Sequence, residues 1–369
     1  MSVRRLLLTT DAVGGVWTYT VELARALQPL GVEPVIAVVG PSPSAEQRAE
    51  TQGMRLLDTG LPLDWLAEGP SAIRRAGTAL SAYATAERVD AVQLHSAALA
   101  ADVPFEMPVL AVQHSCVATW WEQVRRGPLP REFAWRRDCT EDGLNRVDAV
   151  VAPTAAFAAQ TMRTYGLCRA VQAVHNGRQP IALPTRPRDE FVLTVGRLWD
   201  AGKNVQVLDR AAAQVELAVE AIGPLEGPDG TRVSFANLRT PGSLSGAEIA
   251  KRLAGRPIFA SAALYEPFGL SALEAAQAGC ALVLSDIATF RELWDGAAIF
   301  VEPDDARGFA TAINMLAADP ESRERLGQAA QLRALRYTPD AMARGMIAIY
   351  DQLASAATTQ PQAAFAGAA

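Results

Sequence analysis

The sequence predicts an α/β protein made of two doubly wound, parallel-sheet lobes that face a central cleft. Three observations lead to this prediction. Half of the 369 residues are hydrophobic, enough for a large core and for two domains. Short apolar runs alternate with longer amphipathic segments, as in parallel sheets with crossover helices. A proline-rich stretch, residues 178–189, interrupts this alternation near the middle of the chain.

The first half contains five short apolar runs that predict buried strands, at residues 6–8, 35–39, 91–94, 109–112 and 149–152. Amphipathic segments predict helices at 16–27, 71–88 and 154–165. Gly31 and Gly166 follow the first and third of these segments, where helices commonly end. These elements predict a Rossmann-like amino-terminal lobe over residues 1–177.

The second half repeats the pattern, with strand-like runs at 191–195, 217–222, 258–260, 281–284 and 298–301. They predict a second Rossmann-like lobe over residues 178–336, joined to the first by a flexing hinge at 176–189. Pro339 is suited to begin a separate helix, so residues 337–355 are expected to form a carboxyl-terminal helix that packs back on the first lobe. Residues 356–369 are expected to be a flexible tail.

Charge and composition exclude several classes of protein. The formal net charge is −6, so no overall positive field would hold nucleic acid. The four cysteines and three histidines do not show zinc-binding spacing, which predicts reduced thiols. The apolar run at the amino terminus is too short for a signal peptide, and no later run reaches the ~20 residues of a membrane span. A cytoplasmic protein is the expectation.

The segment 261–286 carries the most chemical information, because it reads as strand, loop, helix and strand. The loop Glu266-Pro267-Phe268-Gly269 cannot be regular helix, whereas 271–278 favours a helix that ends at Gly279. The start of that helix would meet the carboxyl edge of the sheet and offer backbone amides to an anion such as diphosphate. Glu274 could face the cleft with Glu266, or it could merely complete a capping box with Ser271.

Four motifs, in the same order along the chain, resemble those of the retaining glycosyltransferase family 4, whose members have the GT-B fold. They are Glu266 and Glu274 with seven residues between them, Gly196-Arg197 followed by Lys203-Asn204, the Asn176-Gly177 hinge, and the Gly14-Gly15 loop after the first strand. Chance produces one such match far more easily than all four in order.

The resemblance implies a metal-independent, retaining enzyme that moves a hexose from a UDP- or GDP-sugar to an acceptor hydroxyl, in glycan, glycolipid or small-molecule glycoside synthesis. It places the donor in the second lobe and the acceptor against the first. It implies no cofactor and no metal, and the sequence contains no Asp-x-Asp motif that would hold a cation on the diphosphate.

The resemblance also implies roles for particular residues. Arg197 and Lys203 would neutralise the diphosphate, Glu266 would lie beside the donor sugar, and Glu274 would accept hydrogen bonds from the ribose. The expected donor-binding set is completed by Gly14, Gly15, Phe268, Gly269, Leu270 and Ser271, the last two through their amides. His114 follows the run 109–112, where the family has a histidine near the reacting sugar. Alternatively, His114 is a buried histidine whose ring nitrogens are hydrogen-bonded within the protein.

Three further alternatives stay open at this stage. The aromatic and basic segment 118–137 could be an acceptor or weak membrane-surface patch, or it could pack its aromatic rings inward with its arginines solvated. The chain could bind a nucleotide sugar without transferring it. It could also be a nucleotide-sugar epimerase, whereas a dehydrogenase is disfavoured because no G-x-G-x-x-G follows the first strand.

Overall fold

The structure is a computed structural model that describes residues 3–125, 127–228 and 230–359. It contains two parallel sheets, one in each half of the chain, with helices on both faces. The two-lobed, doubly wound architecture predicted from the sequence is therefore confirmed. The last residues of the expected tail, 360–369, lie outside the described residues.

The amino-terminal lobe is built on a seven-stranded sheet in the order β3-β2-β1-β4-β5-β6-β7. Its strands are β1 (Arg5–Thr10), β2 (Glu33–Val39), β3 (Arg55–Leu61), β4 (Ala91–Leu94), β5 (Val109–Val112), β6 (Ala149–Ala152) and β7 (Gln172–Ala173). Its α-helices are α1 (Gly15–Leu27), α2 (Ala45–Glu50), α3 (Pro70–Ala86), α4 (Val117–Val124), α5 (Arg131–Arg146) and α6 (Ala155–Tyr165).

Central strands of this sheet are buried on both faces. Along β1, Leu7 belongs to one apolar core, whereas Leu6 and Leu8 belong to the core on the opposite face. All three are fully buried, so successive residues point to opposite helical layers. The five predicted strands are present. The edge strands β3 and β7 were not predicted, because β3 is half exposed with mixed polarity and β7 has two residues.

The carboxyl-terminal lobe has a six-stranded parallel sheet in the order β10-β9-β8-β11-β12-β13. Its strands are β8 (Phe191–Val195), β9 (Ala218–Ile222), β10 (Arg239–Gly242), β11 (Ile258–Ser261), β12 (Leu282–Ser285) and β13 (Ile299–Val301). Its α-helices are α7 (Val205–Ala212), α8 (Gly246–Ala254), α9 (Leu270–Gln277), α10 (Ala288–Trp294), α11 (Ala306–Ala318) and α12 (Pro320–Ala334). The predicted strands are again present, and the edge strand β10 was missed.

The last helix, α13 (Pro339–Thr359), returns to the amino-terminal lobe. Met346 and Tyr350 share an apolar core with Leu23 and Leu27 of α1. The start of α13 also contacts the Asn176-Gly177 segment: a side chain at Gly177 would overlap the Thr338 carbonyl. Of the helices in the described part of the chain, none is long and apolar enough to cross a membrane.

Candidate active site

The Gly14-Gly15 loop lies across the cleft from the carboxyl-terminal lobe. A Cβ atom at Gly14 would lie 3.8 Å from Arg197 Nη1, and one at Gly15 would lie 3.4 Å from Leu270 Cδ1. Gly14 has φ −158°, an extended backbone that any residue adopts, and both Cβ distances are ordinary van der Waals contacts. The structure therefore brings the predicted glycine loop, Arg197 and the start of α9 together.

Helix α9 begins at Leu270, directly after a tight turn. Gly269 occupies the N-cap position with φ +91°, in the left-handed region that favours glycine. A Cβ there would lie 2.9 Å from Phe290 Cε1 and 3.2 Å from Glu266 Cγ. The amides of Leu270 and Ser271 lie in the first turn and have no intrahelical partners, and no described side chain caps the helix, so they can meet an anion.

Phe268 differs from the other members of the expected donor-binding set. Its side chain is buried in the core of the carboxyl-terminal lobe, with its ring 5.7 Å from that of Tyr337. A donor contact by Phe268 can therefore involve only its backbone.

Glu274 does not cap helix α9, which excludes the capping-box alternative. The helix begins one residue before Ser271, and Glu274 lies in its second turn. Glu274 Oε1 instead accepts a hydrogen bond from Arg178 Nε at 2.9 Å, and Arg178 Nη1 donates to Glu22 Oε1 of α1 at 2.7 Å. Burial raises the pKa of Glu274, and Arg178 opposes that rise.

Arg197 and Lys203 lie on the loop between β8 and α7, and each pairs with a carboxylate. Lys203 Nζ forms an ion pair with Glu266 Oε2. Arg197 Nη2 lies 2.9 Å from Asp200 Oδ2, and the Arg197 side chain remains 51% exposed to the cleft. Burial alone would raise the pKa of Asp200, but the charges of Arg197 and Lys203, together with hydrogen bonds from the Gly202 amide and from Arg197, lower that pKa.

Asp200 also fixes the loop and joins the two lobes. Its Oδ1 accepts hydrogen bonds from the Gly202 amide at 2.8 Å and from Trp120 Nε1 of α4 at 3.1 Å. Because Asp is a preferred residue at the start of a helical turn, its position before Ala201–Lys203 was a sequence signal that could have identified it.

Residues 118–137 pack mainly against their own lobe. Trp121 packs against Phe133, with ring centroids 5.8 Å apart, and Arg136 donates to the carbonyls of Asp64, Trp65 and Ala67. Both tryptophans of α4 are partly buried. For the described part of this segment, which leaves out Arg126, these contacts favour inward packing of the aromatic rings, whereas Arg136 is hydrogen-bonded to its own lobe rather than solvated.

His114 belongs to an aromatic cluster beneath the first turns of α1. Its ring centroid lies 4.5 Å from that of Tyr19 and 5.0 Å from that of His95. Burial lowers the pKa of His114 to about 4 and that of His95 well below its usual value, so both rings are neutral at pH 7. His95 is held by Thr20 and Gln93, whereas the buried Nε2 of His114 has no hydrogen-bond partner among the described residues.

The loop that carries Glu266 is held by the amino-terminal lobe on both sides. Tyr265 is buried in the core of that lobe, and its hydroxyl lies 2.9 Å from Thr119 Oγ1. Thr154 Oγ1 donates to the carbonyl of Pro267 at 3.1 Å. These contacts fix Glu266 relative to both lobes.

The described residues include no group of three or more His, Cys, Asp or Glu side chains that could hold a metal ion.

Two facing parallel-sheet lobes, with the glycine loop of one opposite the cations and helix start of the other, define a GT-B protein. A family model described as Glycosyltransferase Family 4 matches residues 13–180, and one described as Glycosyl transferases group 1 matches residues 178–333. Together the two models span both lobes. The chain belongs to glycosyltransferase family 4.

Two curated relatives are similar in sequence to part of the chain. Over 193 residues it is 30% identical to alpha-maltose-1-phosphate synthase of Mycobacterium tuberculosis, covering 50% of this chain and 43% of that protein. Over 135 residues it is 33% identical to GDP-mannose:cellobiosyl-diphosphopolyprenol alpha-mannosyltransferase of Komagataeibacter xylinus, covering 36% of this chain and 34% of that protein. The chain thus spans less than half the length of these relatives.

Similar solved structures cover nearly the whole chain. Sucrose-phosphate synthase from Thermosynechococcus elongatus superposes with a TM-score of 0.76 at 19% identity, over 96% of this chain and 100% of that one. Anabaena HepE in complex with UDP-glucose gives a TM-score of 0.72 at 16% identity, over 97% of this chain and 100% of that one. At these identities the likeness establishes the fold.

Proposed function

We propose that the chain is a metal-independent, retaining glycosyltransferase that moves a hexose from a UDP- or GDP-sugar to an acceptor hydroxyl. One observation carries the proposal: the Gly14-Gly15 loop lies so close to Arg197 and the start of α9 that a Cβ atom on either glycine would come within 4 Å of them. A backbone without side chains, a cation and free helix amides together suit a ligand that carries a diphosphate.

The charges of the site match those that develop during glycosyl transfer. As the bond from the anomeric carbon to the diphosphate breaks, negative charge grows on the phosphate. In our proposal Arg197, Lys203 and the first amides of α9 stabilise that charge, while Glu266 holds hydroxyls of the donor sugar. In this structure Arg197 pairs with Asp200 and Lys203 pairs with Glu266. When the diphosphate binds, it interacts with these two cations in our proposal.

The transfer itself is proposed to follow a front-face route. The acceptor oxygen bonds to the anomeric carbon on the side that the diphosphate leaves, and the acceptor proton passes to a departing phosphate oxygen. This route needs no enzyme nucleophile and retains the anomeric configuration. His114 is neutral in our account, and its buried Nε2, which has no hydrogen-bond partner among the described residues, is proposed to bond a sugar hydroxyl when the donor binds.

The comparisons support the choice of donor class. One relative is named for GDP-mannose, and the Anabaena structure holds UDP-glucose. Both are nucleotide-diphosphate sugars, the ligand class that the proposed site requires.

Thermal unfolding in the presence of ligand tests donor binding. The purified chain is screened in EDTA against UDP-, GDP-, ADP- and dTDP-sugars, with Arg197→Ala as the control. A ligand at about 100 times its Kd stabilises the native state by about 2.7 kcal/mol, so the melting temperature should rise for one nucleotide and not in the variant. No rise with any donor contradicts the proposal.

Product analysis separates transfer from the alternatives. A glycosyltransferase releases the nucleoside diphosphate when acceptor is present. A binding protein releases none, and an epimerase leaves a changed sugar on the nucleotide.

A further inference from the structure

We infer that Arg178 is a positioning residue for the donor nucleotide: it holds the Glu274 carboxylate so that Glu274 accepts hydrogen bonds from the two ribose hydroxyls. This inference rests on the proposed function, because it assumes that a ribonucleotide occupies the cleft. It adds Arg178 and its anchor Glu22 to the residues on which donor recognition depends.

Arg178 joins three separate parts of the chain. It follows the Asn176-Gly177 hinge, its Nε donates to Glu274 Oε1 on α9 at 2.9 Å, and its Nη1 donates to Glu22 Oε1 on α1 at 2.7 Å. Only 5% of the Glu22 side chain and 16% of the Glu274 side chain are exposed. The guanidinium therefore links two nearly buried carboxylates that belong to different lobes.

The backbone of Arg178 is fixed as well. Its amide donates to the Tyr337 carbonyl at 3.1 Å, and its carbonyl accepts from Gln277 Nε2 at 2.8 Å. The segment that leads into α13 thus holds the amide of Arg178, and the carboxyl-terminal lobe holds its carbonyl. A side chain held at its backbone and at its guanidinium can orient its partner carboxylate.

This arrangement leaves Glu274 with capacity for a ligand. Oε1 is occupied by Arg178, whereas no described residue donates a hydrogen bond to Oε2. A carboxylate accepts up to about four hydrogen bonds, so it can serve a pair of adjacent hydroxyls and Arg178 together. The vicinal diol of a ribonucleoside has this chemistry, and a dideoxyribonucleoside lacks it.

Arg178 also controls the charge of Glu274. The charged groups that act on Glu274 are Arg178 from the hinge and Glu22 from α1, and the second of these opposes ionisation. Without the guanidinium, two buried carboxylates would share one region, and Glu274 would take up a proton at a higher pH. A protonated carboxyl group accepts hydrogen bonds from a diol less well than a carboxylate does.

Glu22 extends the network to the glycine loop. It lies two turns along α1 from Gly15, so the helix that begins at the glycine loop also carries the anchor of Arg178. The same guanidinium therefore fixes the ribose-binding carboxylate relative to the loop that faces the diphosphate.

Nucleotide binding to the full chain, measured by titration calorimetry, tests the inference. UDP, GDP and ADP are titrated first, followed by the 2′,3′-dideoxy form of whichever binds. The wild-type protein should bind the ribonucleotide about tenfold to a hundredfold more tightly than the dideoxy form, the range expected for hydrogen bonds to a charged group. In Arg178→Gln this preference should disappear, because ribonucleotide affinity falls to the level of the dideoxy form.

Two controls separate positioning from a general structural role. Arg186→Gln removes a hinge arginine that pairs with Asp189 and should change neither affinity. In Arg178→Gln, ribonucleotide affinity should recover partly as the pH rises, because Glu274 then loses its proton. A melting curve for each variant confirms that it is folded, and Arg178→Lys, which keeps the charge, should retain part of the preference.

Each outcome decides one question. An equal loss of affinity for both nucleotides in Arg178→Gln overturns the positioning role. Equal affinity of the wild-type protein for both forms overturns the ribose contact but leaves the proposed transferase in place. Failure of the wild-type protein to bind any of the three nucleoside diphosphates overturns the proposed function and this inference together.

Discussion

The turn before α9 offers a sharp test of how the site is positioned. At Gly269 an alanine would adopt φ +91°, which costs an L-residue about 1–2 kcal/mol. Its methyl group would also lie 2.9 Å from Phe290 Cε1 and 3.2 Å from Glu266 Cγ, and overpacking of this kind costs about 1–3 kcal/mol. Phe290 is fully buried and has little room to move. We expect Gly269→Ala to lower the free energy of unfolding by about 2–5 kcal/mol.

Gly296 supplies the matched control. It also has a positive φ, +75°, but no atom lies within 4 Å of where its Cβ would be. Gly296→Ala should therefore cost only the conformational strain, about 1–2 kcal/mol, and should leave donor affinity unchanged. Gly269→Ala should also weaken donor binding, because the displaced Glu266 and helix start belong to the site. Urea unfolding and nucleotide titration measure both effects, and equal stability losses in the two variants would refute this reasoning.

Substitutions at three further positions, Lys203, His114 and Tyr265, test other parts of the site. Lys203→Ala should lower kcat/KM by about 10²–10³, the loss seen when one charge-stabilising donor is removed, whereas Ala at the exposed Lys251 should change nothing in the same transfer assay. Because burial lowers the pKa of His114 to about 4, the unfolded chain binds that proton more readily and wild-type stability falls as pH drops from 6.5 to 4. Measured by urea unfolding, the loss of stability between pH 6.5 and 4 should be about 3 kcal/mol smaller in His114→Gln than in the wild-type protein. The same pH dependence in both proteins would contradict the lowered pKa. Tyr265→Phe should lower the free energy of unfolding by about 1 kcal/mol, because it removes the hydrogen bond to Thr119, and Tyr265→Ala should lower it by about 3–5 kcal/mol. Equal losses in thermal unfolding would contradict a packed side chain.

Central strands could be predicted from the sequence because burial on both faces leaves a continuous apolar run. The run Ala149–Ala152 is such a case, with all four residues buried. The edge strand β3 could not, since it has no fully buried residue, carries the exposed Arg55 and Asp58, and has a pattern that resembles a loop.

The start of α9 shows where local preference gives way to tertiary packing. Ser271 and Glu274 match a capping box with Ser271 as N-cap, but the observed N-cap is the left-handed Gly269, two residues earlier. The space that selects this glycine is set by Phe290, which no pattern around residue 269 indicates.

The candidate site likewise contains residues that local motifs predict and residues whose partners are distant in the sequence. Arg197 and Lys203 lie in a compact motif that the sequence displays directly. The role of Arg178 could not be predicted in this way, because its partners Glu274 and Glu22 are 96 and 156 residues away. Asp200 has one local signal, but its bond to Trp120 spans 80 residues and depends on how the lobes meet.

We propose that the cleft transfers a hexose with retention and without metal. Proton NMR can follow the reaction in EDTA, with the donor identified by thermal unfolding and a panel of sugar and glycoside acceptors. We expect release of the nucleoside diphosphate and a first-formed product whose anomeric configuration equals that of the donor. A product of inverted configuration, or transfer that requires added divalent cation, would contradict it.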